Sequence, residues 1–171
     1  MIDRRRAIRL AVAAAALLVV WELPLSVAHA QQSFRRFLPL LIDLPGWTGE
    51  KPDGMAMEMP GNSIVTATRE YRRGDATLNA QVITGPAAQG ALAATGSGMK
   101  IETADMRMST STIDGLAVAR TFTVQDKSGA ILVALGPSAM FSLSFNGVAE
   151  DEALTLARRF DWKTIQAAIP K

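Results

Sequence analysis

Met55, Met57 and Met59 stand at every second position, and their spacing is the most direct suggestion of a ligand in this chain. On an extended strand, residues two apart project from one face, and a thioether sulfur is a soft donor suited to Cu(I). Met106 and Met108 repeat the interval. A Cu(I) site at Met55, Met57 and Met59 requires the sulfurs to converge in space. The other reading is that methionine fills irregular gaps in an apolar core. A second set is cationic. Arg69 shares strand parity with Val65, Ala67 and Tyr71, and Arg120 with Leu116, Val118, Phe122 and Val124. Both guanidiniums are therefore expected to point toward an apolar layer. There each either runs past the sheet end or pairs with an acid such as Glu58, Glu70 or Asp161. Alternatively, both face a pocket and grip a carboxylate or phosphate through their planar forks. Arg69, Arg120 and Tyr71 are accordingly the candidate ligand-binding residues.

What the chain lacks narrows the chemistry further. It has no cysteine, and its single histidine, His29, lies in a stretch read below as a leader. Thiol and imidazole nucleophiles, the Ser-His-acid triad, the usual zinc sites and His-ligated iron are thereby excluded from the remainder. A Ser-Lys pair or two carboxylates would still be available. Ser97 and Lys100 have Ser-x-x-Lys spacing, and Lys127-Ser128-Gly129 loosely matches the Lys-Thr-Gly element of penicillin-binding enzymes. That spacing works when a helical turn brings the lysine beneath the serine, whereas Gly96 and Gly98 break any helix here. No Ser-Asp-Asn element accompanies it, and the Gly-Ser-Gly run lacks the lysine-hydroxyl pair of a phosphate-binding loop. No residue is assigned a catalytic role, no cofactor is expected, and the balance leans away from an enzyme.

Residues 1–30 have the three parts of a secretory signal: basic Arg4, Arg5, Arg6 and Arg9, an apolar run over 10–21, and the small-x-small site Ala28-His29-Ala30. The run is shorter than the about 20 residues of a membrane span, and Glu22 and Pro24 interrupt it. Cleavage after Ala30 and export to the periplasm are expected. An uncleaved anchor would have to bury Glu22. Arg4-Arg5-Arg6 followed by apolar residues also resembles a twin-arginine signal. Of 18 basic and 16 acidic residues, 4 arginines and 2 acids fall in this leader, leaving 14 of each. A neutral domain without a basic block offers little to a phosphate backbone, so nucleic acid is not an expected partner. The 141 residues that remain suit one core, held by packing without disulfides.

These residues need elements to position them. Over 62–85, apolar residues alternate with polar ones on both sides of Gly74-Asp75, the mark of a half-buried antiparallel hairpin. Before it, 31–61 is expected to pack on the core, with a short helix broken near Pro39, a turn at Pro45-Gly46 that places Trp47, and Met55 to Met59 on a strand. After it comes a short alanine-rich helix opened by Pro86, then a mobile Gly-Ser-Gly connection. A meander of strands follows over 100–109, 116–124, 130–135 and 139–146, with a tight turn at Asp114-Gly115. The stretch 130–135 is apolar on both parities, so it is expected to be central and covered on both faces. The terminal segment opens with acids and closes with arginines, and Ala153, Leu156, Ala157 and Phe160 form its apolar stripe. Asp161 then caps a last helix carrying Trp162, Ile165 and Ile169 on one face.

The expected fold is α+β: an antiparallel, mostly meandering sheet over 62–171, covered by a C-terminal helix pair and a short middle helix. This order of elements resembles the Mog1/PsbP-like α-β-α sandwich from about Asn62 to Ile169. The resemblance implies a binding or assembly role and brings no catalytic residues with it. The expectation for function is an exported binding or accessory domain acting on a partner protein or small ligand. Its rivals are a periplasmic Cu(I)-binding protein and a hydrolase with a carboxylate or Ser-Lys centre.

Overall fold

The computed structural model describes residues 33–93 and 98–170. The expected leader and Ser97 lie outside the described residues. Described here are nine strands: β1 (Thr48–Gly49), β2 (Asp53–Met59), β3 (Asn62–Arg73), β4 (Ala76–Thr84), β5 (Lys100–Glu102), β6 (Met106–Ile113), β7 (Leu116–Thr123), β8 (Ser128–Gly136) and β9 (Ala139–Asn146). With them are a 3-10 turn (Leu38–Leu40) and helices α1 (Pro86–Leu92), α2 (Glu150–Ala157) and α3 (Trp162–Ala167). The strands form one antiparallel sheet in the order β1-β3-β4-β9-β8-β7-β6-β5, with β2 also paired to β3. The fold is the α+β architecture that alternation and turn chemistry predict.

Register follows from the apolar parity. Ala67 pairs with Val82 and Tyr71 with Leu78 across the β3–β4 hairpin, and Val82 in turn faces Phe141 of β9. One sheet face thus collects Ala67, Tyr71, Val82, Phe141, Leu143 and Val133, all essentially inaccessible to water. Gly74 supplies the hairpin's positive φ of 59°, and Asp114 and Gly115 supply the next at 52° and 80°. Helices α2 and α3 cover this face through Ala153, Leu156, Ala157, Trp162 and Ile165, and the Phe160 ring between them lies 5.0 Å from that of Phe141. The Asp161 carboxylate caps α3 by accepting the Thr164 N–H at 3.0 Å and the Thr164 hydroxyl at 2.7 Å. Ala88 of α1, Met140 and Ala119 are buried outside this main cluster. Register puts Met140 and Ala119 on the opposite face.

Three expectations need correction. The stretch 100–109 is two strands, because Thr103 turns the chain: its hydroxyl accepts the Met106 N–H at 3.0 Å, and its own N–H donates to Met106 O at 2.9 Å. Strand β8 is central, but only Ile131, Val133 and Leu135 are buried while Ala130, Leu132 and Ala134 stay half-buried, so it is not covered equally on both faces. The sheet does not begin at Asn62, since β1 and β2 before it are hydrogen-bonded members of it.

One glycine decides a strand contact. Gly129 lies between Phe122 of β7 and Phe145 of β9, whose rings stack across it at 6.2 Å. A Cβ there would sit 2.0 Å from Thr121 O and 2.8 Å from the Phe145 ring.

Candidate functional site

Arg69 and Arg120 both leave the sheet on its helix-covered face, but four strand steps separate them, about 19 Å at ordinary interstrand spacing. They do not share a pocket. All three nitrogens of Arg69 are engaged: Nη1 donates to Leu41 O at 2.7 Å, Nε donates to Glu50 O at 2.8 Å, and Nη2 pairs with the Asp43 carboxylate. Its guanidinium also lies 5.2 Å from the centre of the Tyr71 ring. Tyr71 is fully buried and donates its hydroxyl to Ile42 O at 2.7 Å. Burial raises its phenol to about 12, against the opposing pull of Arg69. Arg69 and Tyr71 thus fasten residues 41–50 to β3, which lets Phe37, Leu41 and Leu44 seal the core.

Arg120 has a different setting. It projects from β7 into an open trough of about 470 Å³ between the β5–β6 margin and the start of α2, lined also by Lys100, Glu102, Arg107, Ser109 and Glu150. Pairing across the β5–β6 turn builds this wall, setting Lys100 opposite Ser109 and Glu102 opposite Arg107, while Ser109 faces Arg120 on β7. The charges form a chain: Lys100 Nζ to Glu102 at 3.4 Å, Arg107 Nε to Glu102 at 3.5 Å, Arg107 Nη1 to Glu150 at 3.6 Å, and Arg120 Nη1 to Glu150 at 4.0 Å. All four separations exceed the about 2.7–2.9 Å of a tight charge-assisted hydrogen bond. Arg120 Nε is buried with no hydrogen-bond partner, and so is Ser111 Oγ, which register places on the same face. Three cations thus meet two carboxylates, and their donors are poorly used.

Sequence reading singled out Arg120 as a ligand-binding residue and Lys100 only as a partner for Ser97; it did not single out Arg107 or Glu150. The signal was present in the Thr103-Ala104-Asp105 turn, which folds Lys100 and Glu102 back against Ser109 and Arg107. The expected acid partners of Arg120 did not include Glu150, whose position depends on where α2 docks.

The methionines separate into two groups. Met55, Met57 and Met59 lie on one face of β2 and are 56%, 47% and 44% exposed, so they fill no core gap. Met106 and Met108 lie on β6, six strand steps away, or about 29 Å. The two groups do not form one site. Among the described residues no three His, Cys, Asp or Glu side chains are placed to hold a metal ion, and no helix is long and apolar enough to cross a membrane. No family model matches this chain, nor does any curated protein or solved structure.

Proposed function

We propose that this chain is an exported accessory domain that holds a small oxyanion, a carboxylate or a phosphate, in the trough where Arg120, Arg107 and Lys100 meet. The observation that carries this reading is Arg120 itself, a guanidinium in an open trough with a buried Nε that donates to nothing and a nearest carboxylate 4.0 Å away. A planar fork so placed can donate two parallel bonds to a carboxylate or phosphate. Arg107 and Lys100 add charge at the rim, and the hydroxyl of Ser109 offers a further donor. The element order that resembles Mog1/PsbP-like domains supports a binding or assembly role as well.

Titration calorimetry with two probes, succinate and inorganic phosphate, tests the reading. At least one probe should bind the native chain, and Arg120→Met should weaken that binding about tenfold or more, a loss of about 1.4 kcal/mol. Arg69→Lys should leave it unchanged. Failure of both probes to bind, or equal binding by Arg120→Met, would overturn it.

The exposed same-face row on β2 supports a second reading, a Cu(I) role for Met55, Met57 and Met59. A triple Met→Leu variant that retains as much Cu(I) as the native chain removes it.

A further inference from the structure

Strand β2 ends the sheet on one side, and among the described residues its only strand partner is β3. Its sequence, Asp-Gly-Met-Ala-Met-Glu-Met, contains no lysine and no proline, and its ladder with β3 has no register shift. Those are the devices that commonly keep an edge from pairing. Three side chains on one face of it are 44–56% exposed methionines.

The direction of the free backbone groups follows from two observations. The Gly54 N–H is taken by the adjoining Asp53 carboxylate at 2.8 Å, so Gly54 turns its amide away from β3. At the other end, Met59 and Asn62 flank the two-residue turn at Pro60 and Gly61, where a hairpin closes on a hydrogen-bonded pair. Alternation then directs the amides and carbonyls of Met55, Met57 and Met59 to β3, and those of Gly54, Ala56 and Glu58 outward.

We propose that β2 is a self-pairing edge, joining two copies of this chain into one continuous antiparallel sheet across a two-fold axis at Ala56. In that register Ala56 faces Ala56 of the second copy and Gly54 faces Glu58 of the second copy. All three outward residues are used: the Ala56 and Glu58 amides of the two copies give about four backbone hydrogen bonds, and about two more form where the Gly54 N–H exchanges the Asp53 carboxylate for the Glu58 carbonyl of the second copy. The charge pattern is self-complementary. Glu58 meets a glycine, Asp53 meets Met59 of the second copy, and no two like charges oppose one another. Met55 lies across from Met57 of the second copy in both halves, so the exposed thioethers merge into one apolar stripe. A shift by one residue would set Asp53 against Glu58 of the second copy and would turn the helix layers to opposite faces. Shifts by two residues lose one of the three hydrogen-bonded pairs.

Seven residues per copy bury less than the about 1,000 Å² of a tight interface, so the dimer forms in the micromolar to millimolar range. Sedimentation equilibrium over increasing concentrations, on the protein purified as the cell leaves it, measures it directly. The native chain should show a monomer–dimer equilibrium. Met55→Lys with Met57→Lys places ammonium groups opposite one another twice across the seam, and dimerisation should weaken about tenfold or more. Met55→Lys with Met57→Glu changes the same two exposed positions but opposes unlike charges, and it should dimerise at least as well as the native chain. Circular dichroism of both variants should match the native spectrum. The proposal fails if the native chain stays monomeric up to about 0.5 mM, if both variants dimerise equally, or if the charge-swapped variant is as monomeric as the double lysine.

Discussion

Two arginines with the same strand parity have opposite roles once the surroundings of each are known. Parity tells which sheet face a side chain leaves, and that much was legible for Arg69 and Arg120. What waits beyond the face is set by distant segments: Leu41, Asp43 and Glu50 for Arg69, and the first residue of α2 for Arg120. Arg69→Met removes the donors of two carbonyl bonds and one ion pair, so it should cost about 2 kcal/mol in a denaturant titration. Arg120→Met removes a guanidinium whose Nε is already unused and whose Glu150 partner is 4.0 Å away, and should change stability by less than about 1 kcal/mol. Tyr71 is the only tyrosine in the chain, so phenolate absorbance reports it alone. Its folded-state value is raised from 10.0 to about 12. The stability this confers is complete below pH 10 and is lost as pH rises from 10 toward 12. Native absorbance should therefore titrate about two pH units above that of the urea-unfolded chain. Coincident curves would contradict the burial of this phenol.

Hairpins and terminal helices were legible because their signals are local. Gly74-Asp75, Asp114-Gly115 and the Asp161 cap each act within a few residues, and the structure places a turn or a helix start at each. The β5–β6 break was missed because a three-residue strand is too short to show alternation, and its turn uses a threonine hydroxyl rather than glycine or proline. Gly129 also carried no signal, since its constraint comes from Thr121 and Phe145. Gly129→Ala should force β7 away from β8 and lower the thermal midpoint by about 10 °C. At Asp161, bonds from the Thr164 hydroxyl and amide hold the carboxyl below its usual value. The hold of this cap on α3 is thus kept above the ordinary carboxylate range and lost as pH falls through the lowered value. Amide exchange of residues 164–167 should accelerate in Asp161→Ala at neutral pH.

At the scale of the molecule, residues 33–50 belong to the core. Phe37 and Leu41 are each 1% exposed, and Phe37→Ala should cost about 3–5 kcal/mol, as for a central aromatic. The apolar residues of this stretch led to the expectation that it packs on the core, but nothing in them pointed to the Arg69 and Tyr71 bonds that hold it there. The order β4-β9 has a further effect on how the chain is made. Strand β4 acquires its second neighbour only when β9 arrives, some 55 to 70 positions later in the chain. A ribosome-bound chain therefore holds two unfinished sheet fragments, each with a bare flank, until its final quarter emerges. Long-range closure of this kind slows folding. Any handling factor that keeps the nascent polypeptide from tangling must stay engaged until that last β-segment is delivered.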